Sequence, residues 1–159
     1  TLRRAQWEVM AVGLKPGMVT AAHGVRLMPD GVWDQVDLST FDMMALPGGN
    51  QGTQNLMADE RVLGAIRQFH KAGKMVAAVC AAPLVLQRAG ILDGKNATCY
   101  PGAASGLNKA HYIKDRVVRD GNIITSQGPG TPISFALYII AAVDGQKKAN
   151  EVGEAMVVE

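Results

Sequence analysis

Apolar residues in this chain fall into short runs separated by stretches with helical spacing. Met75-Val-Ala-Ala-Val79 follows Gly73-Lys74 and runs straight into Cys80. A run this short, with no alternation, predicts a strand buried on both faces. Trp7 to Val12 and Phe41 to Leu46 read as two more strands, the second ended by Pro47-Gly48-Gly49. Val25 to Met28 reads as a further short strand, and Asn122 to Ser126 as another. Between them, Val62, Leu63, Ile66 and Phe69 share one face of a helix that Asp59 can cap and Gly73 can stop. A helix from Pro83 to Ala89 follows the Met75 strand at once. Late in the chain, Gln127 to Gly130 forms a turn, Thr131 stands as a cap and Pro132 takes the first helical position. That helix is expected to run through Leu137 and Ile140 to about Val143, with a weaker helical pattern after Gly145. Strands alternating with helices predict an α/β fold: a parallel sheet flanked by helices on both faces.

The opening is unusual for this class. Thr1-Leu-Arg-Arg-Ala5 reads as the last turn of a helix, and a strand follows. A sheet of this kind begins on a strand, so an opening strand and most of a helix are expected ahead of Thr1. An unpaired ladder there would be costly, which makes such a strand an expectation for the intact protein.

Composition narrows the function classes. At 159 residues the chain suits one domain, taken here as residues 1–159. Its apolar fraction is 48% and its net charge +2, with Lys and Arg scattered, so no nucleic-acid surface is expected. No apolar run approaches the roughly 18 residues of a membrane span, and no stretch reads as a signal peptide. Two cysteines, Cys80 and Cys99, make no disulfide framework, and the expected cytoplasmic setting opposes their pairing. His23, His70 and His111 lie far apart without a ligand motif, so no metal is expected. His111 reads as a surface or packed histidine, Cys99 as a buried or edge thiol, and Met43 and Met44 as core.

The chemistry gathers at strand-to-helix junctions. Cys80 lies between a strand and a helix with Pro83 in its first turn. Unpaired N–H groups and the helix dipole there favour a thiolate. A tight strand-nucleophile-helix turn needs small residues two before and two after, and Ala78 and Ala82 occupy those places. Ala81 could offer its N–H to an oxyanion. The residues alone leave two readings open, a nucleophile and a small buried hydrophobe. Ala45-Leu-Pro-Gly-Gly-Asn50 ends another strand. Gly48 and Gly49 could present consecutive N–H groups where open parallel sheets place their sites. Thr125-Ser-Gln-Gly-Pro-Gly-Thr131 is a third such loop. It lacks the lysine and glycine spacing of a phosphate cradle.

Taken together, ALPGGNQGTQNL, AAVCAAPLVLQRAGIL and ITSQGPGTPISFAL closely resemble the ThiJ/PfpI superfamily, in the DJ-one branch with its bacterial relatives. The resemblance runs from Leu2 to the tail. It implies a flavodoxin-like three-layer sandwich and a homodimer. It implies glyoxalase, deglycase, redox-sensing or chaperone activity, without a cofactor. By position it places the nucleophile on Cys80 and the oxyanion-hole amides on Gly49 and Ala81. Gly48, Asn50, Tyr100, Gly128 and Pro129 become pocket candidates. The family's frequent histidine falls on Tyr100, a poor base at neutral pH. The protease-like branch has histidine directly after the cysteine, where this chain has Ala81. The family's glutamate, which contacts the cysteine sulfur, falls ahead of Thr1.

The leading expectation is therefore a cysteine-dependent glyoxalase or deglycase acting on methylglyoxal, glyoxal or their early adducts, with a role in oxidative-stress protection. A redox sensor or chaperone working through Cys80 oxidation is second. A hydrolase or amidase is third, because no base for it can be named.

Overall fold

The computed structural model describes residues 1–158. Its centre is a four-stranded sheet of β5 (Met43–Leu46), β6 (Met75–Val79), β10 (Ile123–Ser126) and β9 (Val117–Asp120), in that order. β5, β6 and β10 are parallel, in the register Leu46 opposite Ala78 and Thr125 opposite Ala78. β9 runs antiparallel to β10, so the sheet is mixed where a purely parallel one was expected. A short hairpin turn at Gly121 explains the reversal.

Pleating sorts the strand residues onto two faces. Val76, Ala78 and Ile123 face a core built with Val62, Leu63, Ile66 and Phe69 of α2 (Glu60–Lys71). Val85 and Leu86 of α3 (Pro83–Arg88) complete it, with Leu56 and Met57 of α1 (Asn50–Ala58) against its edge. Ala77 and Ile124 point the other way, to Phe135 and Ile139 of α4 (Pro132–Asp144). α4 packs in turn on α5 (Gln146–Ala155) through Ile140, Ala149 and Val152. Two helix layers thus enclose the sheet, as the three-layer expectation requires. The side chain of Asp59 accepts from the Arg61 N–H at 3.0 Å and caps α2 as expected.

Four local expectations need correction. Trp7–Val12 is not one strand. Only β1 (Val12–Gly13) pairs, with β4 (Gly31–Val32), in a separate parallel ribbon. The preceding residues are tied by side chains instead. The Trp7 indole donates to Asp144 at 2.6 Å, and Arg3 donates to the Val9 carbonyl at 2.8 Å. The Val25–Met28 strand shortens to β3 (Arg26–Leu27), paired antiparallel with β2 (Val19–Thr20). Thr131 stands at the N-cap of α4 without a side-chain cap, because its hydroxyl turns back into the loop and bonds Gly128. The opening turn Leu2–Ala5 is 3-10, not α-helical. β7 (Asn96–Ala97) and β8 (His111–Tyr112) form a further small parallel pair.

Candidate functional site

β6 ends inside the molecule. Val76, Ala77 and Ala78 are fully buried, and the chain turns sharply at the next junction. Cys80 adopts φ +64, a left-handed conformation that a residue with a Cβ rarely takes. Such backbone strain persists only where neighbours enforce it. Here the Cys80 N–H donates to the Ser126 carbonyl at 2.9 Å, and the Cys80 carbonyl accepts from the Tyr100 N–H at 2.8 Å. Ala82, fully buried, lets the chain fold straight into α3. Pro83 fills the first position of that helix, where an N–H would have no acceptor.

Gly48 explains the closeness of the neighbouring loop. A Cβ there would lie 2.4 Å from the Cys80 Cβ, 2.8 Å from the Val79 carbonyl oxygen and 3.2 Å from the Cys80 sulfur. Only glycine allows the end of β5 to lie against the thiol. Gly49 follows at φ +90 and caps α1, its carbonyl accepting from the Thr53 N–H at 2.9 Å. Asn50 opens that helix on the exposed side. Among the described residues, neither the Gly49 nor the Ala81 N–H donates to a protein acceptor.

The third loop joins through Ser126 and Tyr100. The Ser126 hydroxyl donates to the Arg116 carbonyl at 2.7 Å and shares a 2.6 Å hydrogen bond with the Thr131 hydroxyl. The Gly128 N–H donates to Thr131 Oγ1 at 3.0 Å, which closes the loop on itself. Pro129 is exposed at its tip. The Tyr100 ring rests against Gly128 and Gly102.

The two thiols differ in kind. Cys80 is partly exposed, and Cys99 is buried. Burial first, and the charge of Cys80 second, push the Cys99 thiol up to about 11, so it stays protonated near neutrality. Its sulfur lies 3.3 Å from the Tyr100 carbonyl, as a weak donor.

Sequence reasoning thus named three loops that the fold brings to one place. It missed the direct Gly48–Cys80 contact, although the paired glycines signalled a close approach. It also missed Arg116, whose guanidinium donates to the Gly130 carbonyl at 3.1 Å and pins the third loop. No local pattern around Arg116 signals that role. His70 lies by the opposite end of the sheet, where its carbonyl accepts from Asn122, and His111 is exposed on β8. Among the described residues, no three His, Cys, Asp or Glu side chains converge to hold a metal ion. No helix among them is long and apolar enough to cross a membrane.

The chain is similar to known proteins in sequence and fold. The DJ-1/PfpI family pattern matches residues 1–142. Protein dj-1beta of Drosophila melanogaster is 40% identical over 161 residues, covering 99% of this chain and 86% of that protein. The glutathione-independent glyoxalase DJR-1.2 of Caenorhabditis elegans is 34% identical over 152 residues, covering 94% of this chain and 80% of its own. Arabidopsis thaliana DJ-1 homolog B is 35% identical, and the chain spans only 36% of its length. The crystal structure of Drosophila DJ-1beta superposes with a TM-score of 0.94 at 40% identity, covering 99% of this chain and 87% of that one. With the fold, the three loops and these likenesses in agreement, the chain belongs to the DJ-1/PfpI family.

Proposed function

We propose that the protein is a cofactor-independent glyoxalase or deglycase acting in the cytoplasm on methylglyoxal, glyoxal or their early adducts, and that it protects against oxidative stress. One observation carries this reading: a strained, partly exposed Cys80 beside Gly48, with the N–H groups of Gly49 and Ala81 uncommitted. The relative named as a glutathione-independent glyoxalase supports it.

In this reading the Cys80 thiolate adds to the aldehyde carbon of a 2-oxoaldehyde. A carbon–sulfur bond forms, and the carbonyl electron pair moves onto oxygen, where the Gly49 and Ala81 N–H groups stabilise it. A proton then leaves the former aldehyde carbon, one arrives at the adjacent carbon and a further one at that carbon's oxygen, giving the thioester of a 2-hydroxy acid. Water cleaves that thioester, releases the hydroxy acid and restores the thiol, so no external oxidant or reductant is needed. Tyr100, Gly128, Asn50 and Pro129 supply the surrounding walls. Methylglyoxal should slow the alkylation of Cys80 by iodoacetamide in a saturable way, read by peptide mass mapping. Unchanged labelling at high methylglyoxal would remove the reading.

A redox-sensing role has its own support. Cys80 is the reachable thiol of the two, and the structure of Toxoplasma gondii DJ-1 is described as oxidized, at 29% identity and a TM-score of 0.91. Mild peroxide should then add two oxygens selectively at Cys80. Addition at Cys99 instead would contradict it.

A homodimer belongs to the same proposal. The β2–β3 hairpin exposes Met18, Val19, Val25, Leu27 and Met28, the last at 70%. An isolated two-stranded hairpin is marginal in water, and these side chains favour an apolar partner surface.

A further inference from the structure

α4, α5 and β9 together line a cavity of about 670 Å³, a size that suits a small organic ligand. None of its lining residues belongs to the three loops around Cys80. Leu137, Ala141 and Ala149 give it an apolar lining, and Tyr138, 41% exposed, stands beside them. Gly153 is buried in the same lining, inside α5 and without a positive φ. A Cβ there would meet Leu137 at 3.5 Å from Cδ1 and 3.9 Å from Cδ2, which is ordinary contact. Alanine would therefore fit, and glycine within a helix is the costlier residue. Neither the backbone nor the packing requires glycine here. What it keeps is space between two residues of the cavity lining.

Two opposite charges line the cavity as well, Arg119 from β9 and Glu154 from α5. Among the described residues neither joins an ion pair, with the other or with a third group. The Arg119 Nε donates to the Gly121 carbonyl at 2.9 Å, which orients the guanidinium and leaves its terminal nitrogens without a protein acceptor among the described residues. Gln146 and Asn150, also in the lining, bond each other at 2.8 Å, so the two charges are its open polar ends.

We propose that this cavity binds short apolar peptides with free ends, the carboxylate on Arg119 and the ammonium on Glu154. A guanidinium fork suits a carboxylate. Glu154 would repel a simple anion and Arg119 a simple cation, so the pair favours a ligand that carries both charges across an apolar body. The inference is independent of the chemistry at Cys80.

The probe is the tripeptide Leu-Ala-Leu, titrated calorimetrically with free ends, N-acetylated, and C-amidated. The free peptide should bind saturably, and either block should weaken binding by about tenfold, the scale of one charge-assisted contact. Glu154→Gln should weaken the free peptide by a similar factor and leave the acetylated one unaffected. Arg119→Gln should behave in the same way toward the amidated one, and Arg119→Lys should retain the preference for a free carboxylate. Gly153→Ala should melt higher than the unaltered protein yet bind more weakly, which separates a lost site from a lost fold. Prior alkylation of Cys80 with iodoacetamide should change nothing. The proposal is overturned by no saturable binding of the free peptide, by equal binding of all three forms, or by full binding in Gly153→Ala. Loss of binding on alkylation would move the peptide to Cys80 and overturn it too. Binding that needs only the carboxylate would overturn the peptide assignment in favour of a simple anion.

Discussion

Cys80 carries a conformational cost that stability does not explain and that the proposed covalent role would. A non-glycine residue at φ +64 sits about 1–2 kcal/mol above a relaxed backbone. Cys80→Gly should therefore melt higher than Cys80→Ala by about 1 kcal/mol in denaturant unfolding, while both lose catalysis; equal stabilities would show that the elbow is unstrained. Gly48→Ala tests the same contact from the other loop. Its Cβ would fall 2.4 Å from the Cys80 Cβ, against backbone as well as side chain, so something must move. Overpacking of this kind costs about 1–3 kcal/mol, and the displaced sulfur should alkylate at a changed rate. At this scale the sequence pointed to the loops that the fold brings together. A small-residue frame around Cys80 and a glycine pair at a strand end are local signals with a direct physical meaning. The Tyr100–Gly128 contact and the Arg116 pin were hidden, because they join segments that only the folded sheet brings together.

Among the elements, those whose burial is decided by their own pattern were readable. β6 was expected at Met75–Val79 and is found there, because an apolar run without alternation has only a two-sided core to fill. α2 followed from one apolar face and the Asp59 cap. Strand assignments that depend on a neighbour fared worse. Trp7–Ala11 has a strand's composition, but a strand exists only where a ladder pairs it. Thr131 shows a second kind of failure: its hydroxyl had two uses, helix cap and loop closure, and the loop took it. The Asp59 cap gives a pH prediction. Its carboxyl is held below the ordinary range, chiefly by hydrogen bonding to the Arg61 side chain. The unfolded chain binds that proton more readily, so the contribution is complete above the ordinary carboxylate pKa of about 4 and is lost as pH falls through the lower folded value. Asp59→Ala should cost about 1 kcal/mol at neutral pH and narrow its gap to the unaltered protein in strong acid. A gap independent of pH would contradict the cap. On the far side of the sheet, Ile124 is fully buried against Phe135 and Ile139, and Ile124→Ala should cost about 2–5 kcal/mol.

The whole molecule presents two features that no single residue or element contains. Both faces of the sheet are covered by helices, which leaves the carboxyl ends of β5, β6 and β10 as the place where loops converge. Function on such a scaffold is set by those loops. Apolar surface, by contrast, accumulates on the β2–β3 hairpin. If that hairpin meets a second copy, the double variant Leu27→Lys, Met28→Lys should sediment as a monomer while its melting and its Cys80 alkylation rate stay near the unaltered values. An unchanged sedimentation coefficient would place any self-association elsewhere. Above these stands one proposed step, covalent attack by a single sulfur. The direct measurement is lactate production from methylglyoxal by the unaltered protein, Cys99→Ala and Cys80→Ala side by side. Turnover should persist in Cys99→Ala and fall by about a thousandfold in Cys80→Ala, the scale seen when a nucleophile is removed. Comparable lactate from Cys80→Ala would contradict it.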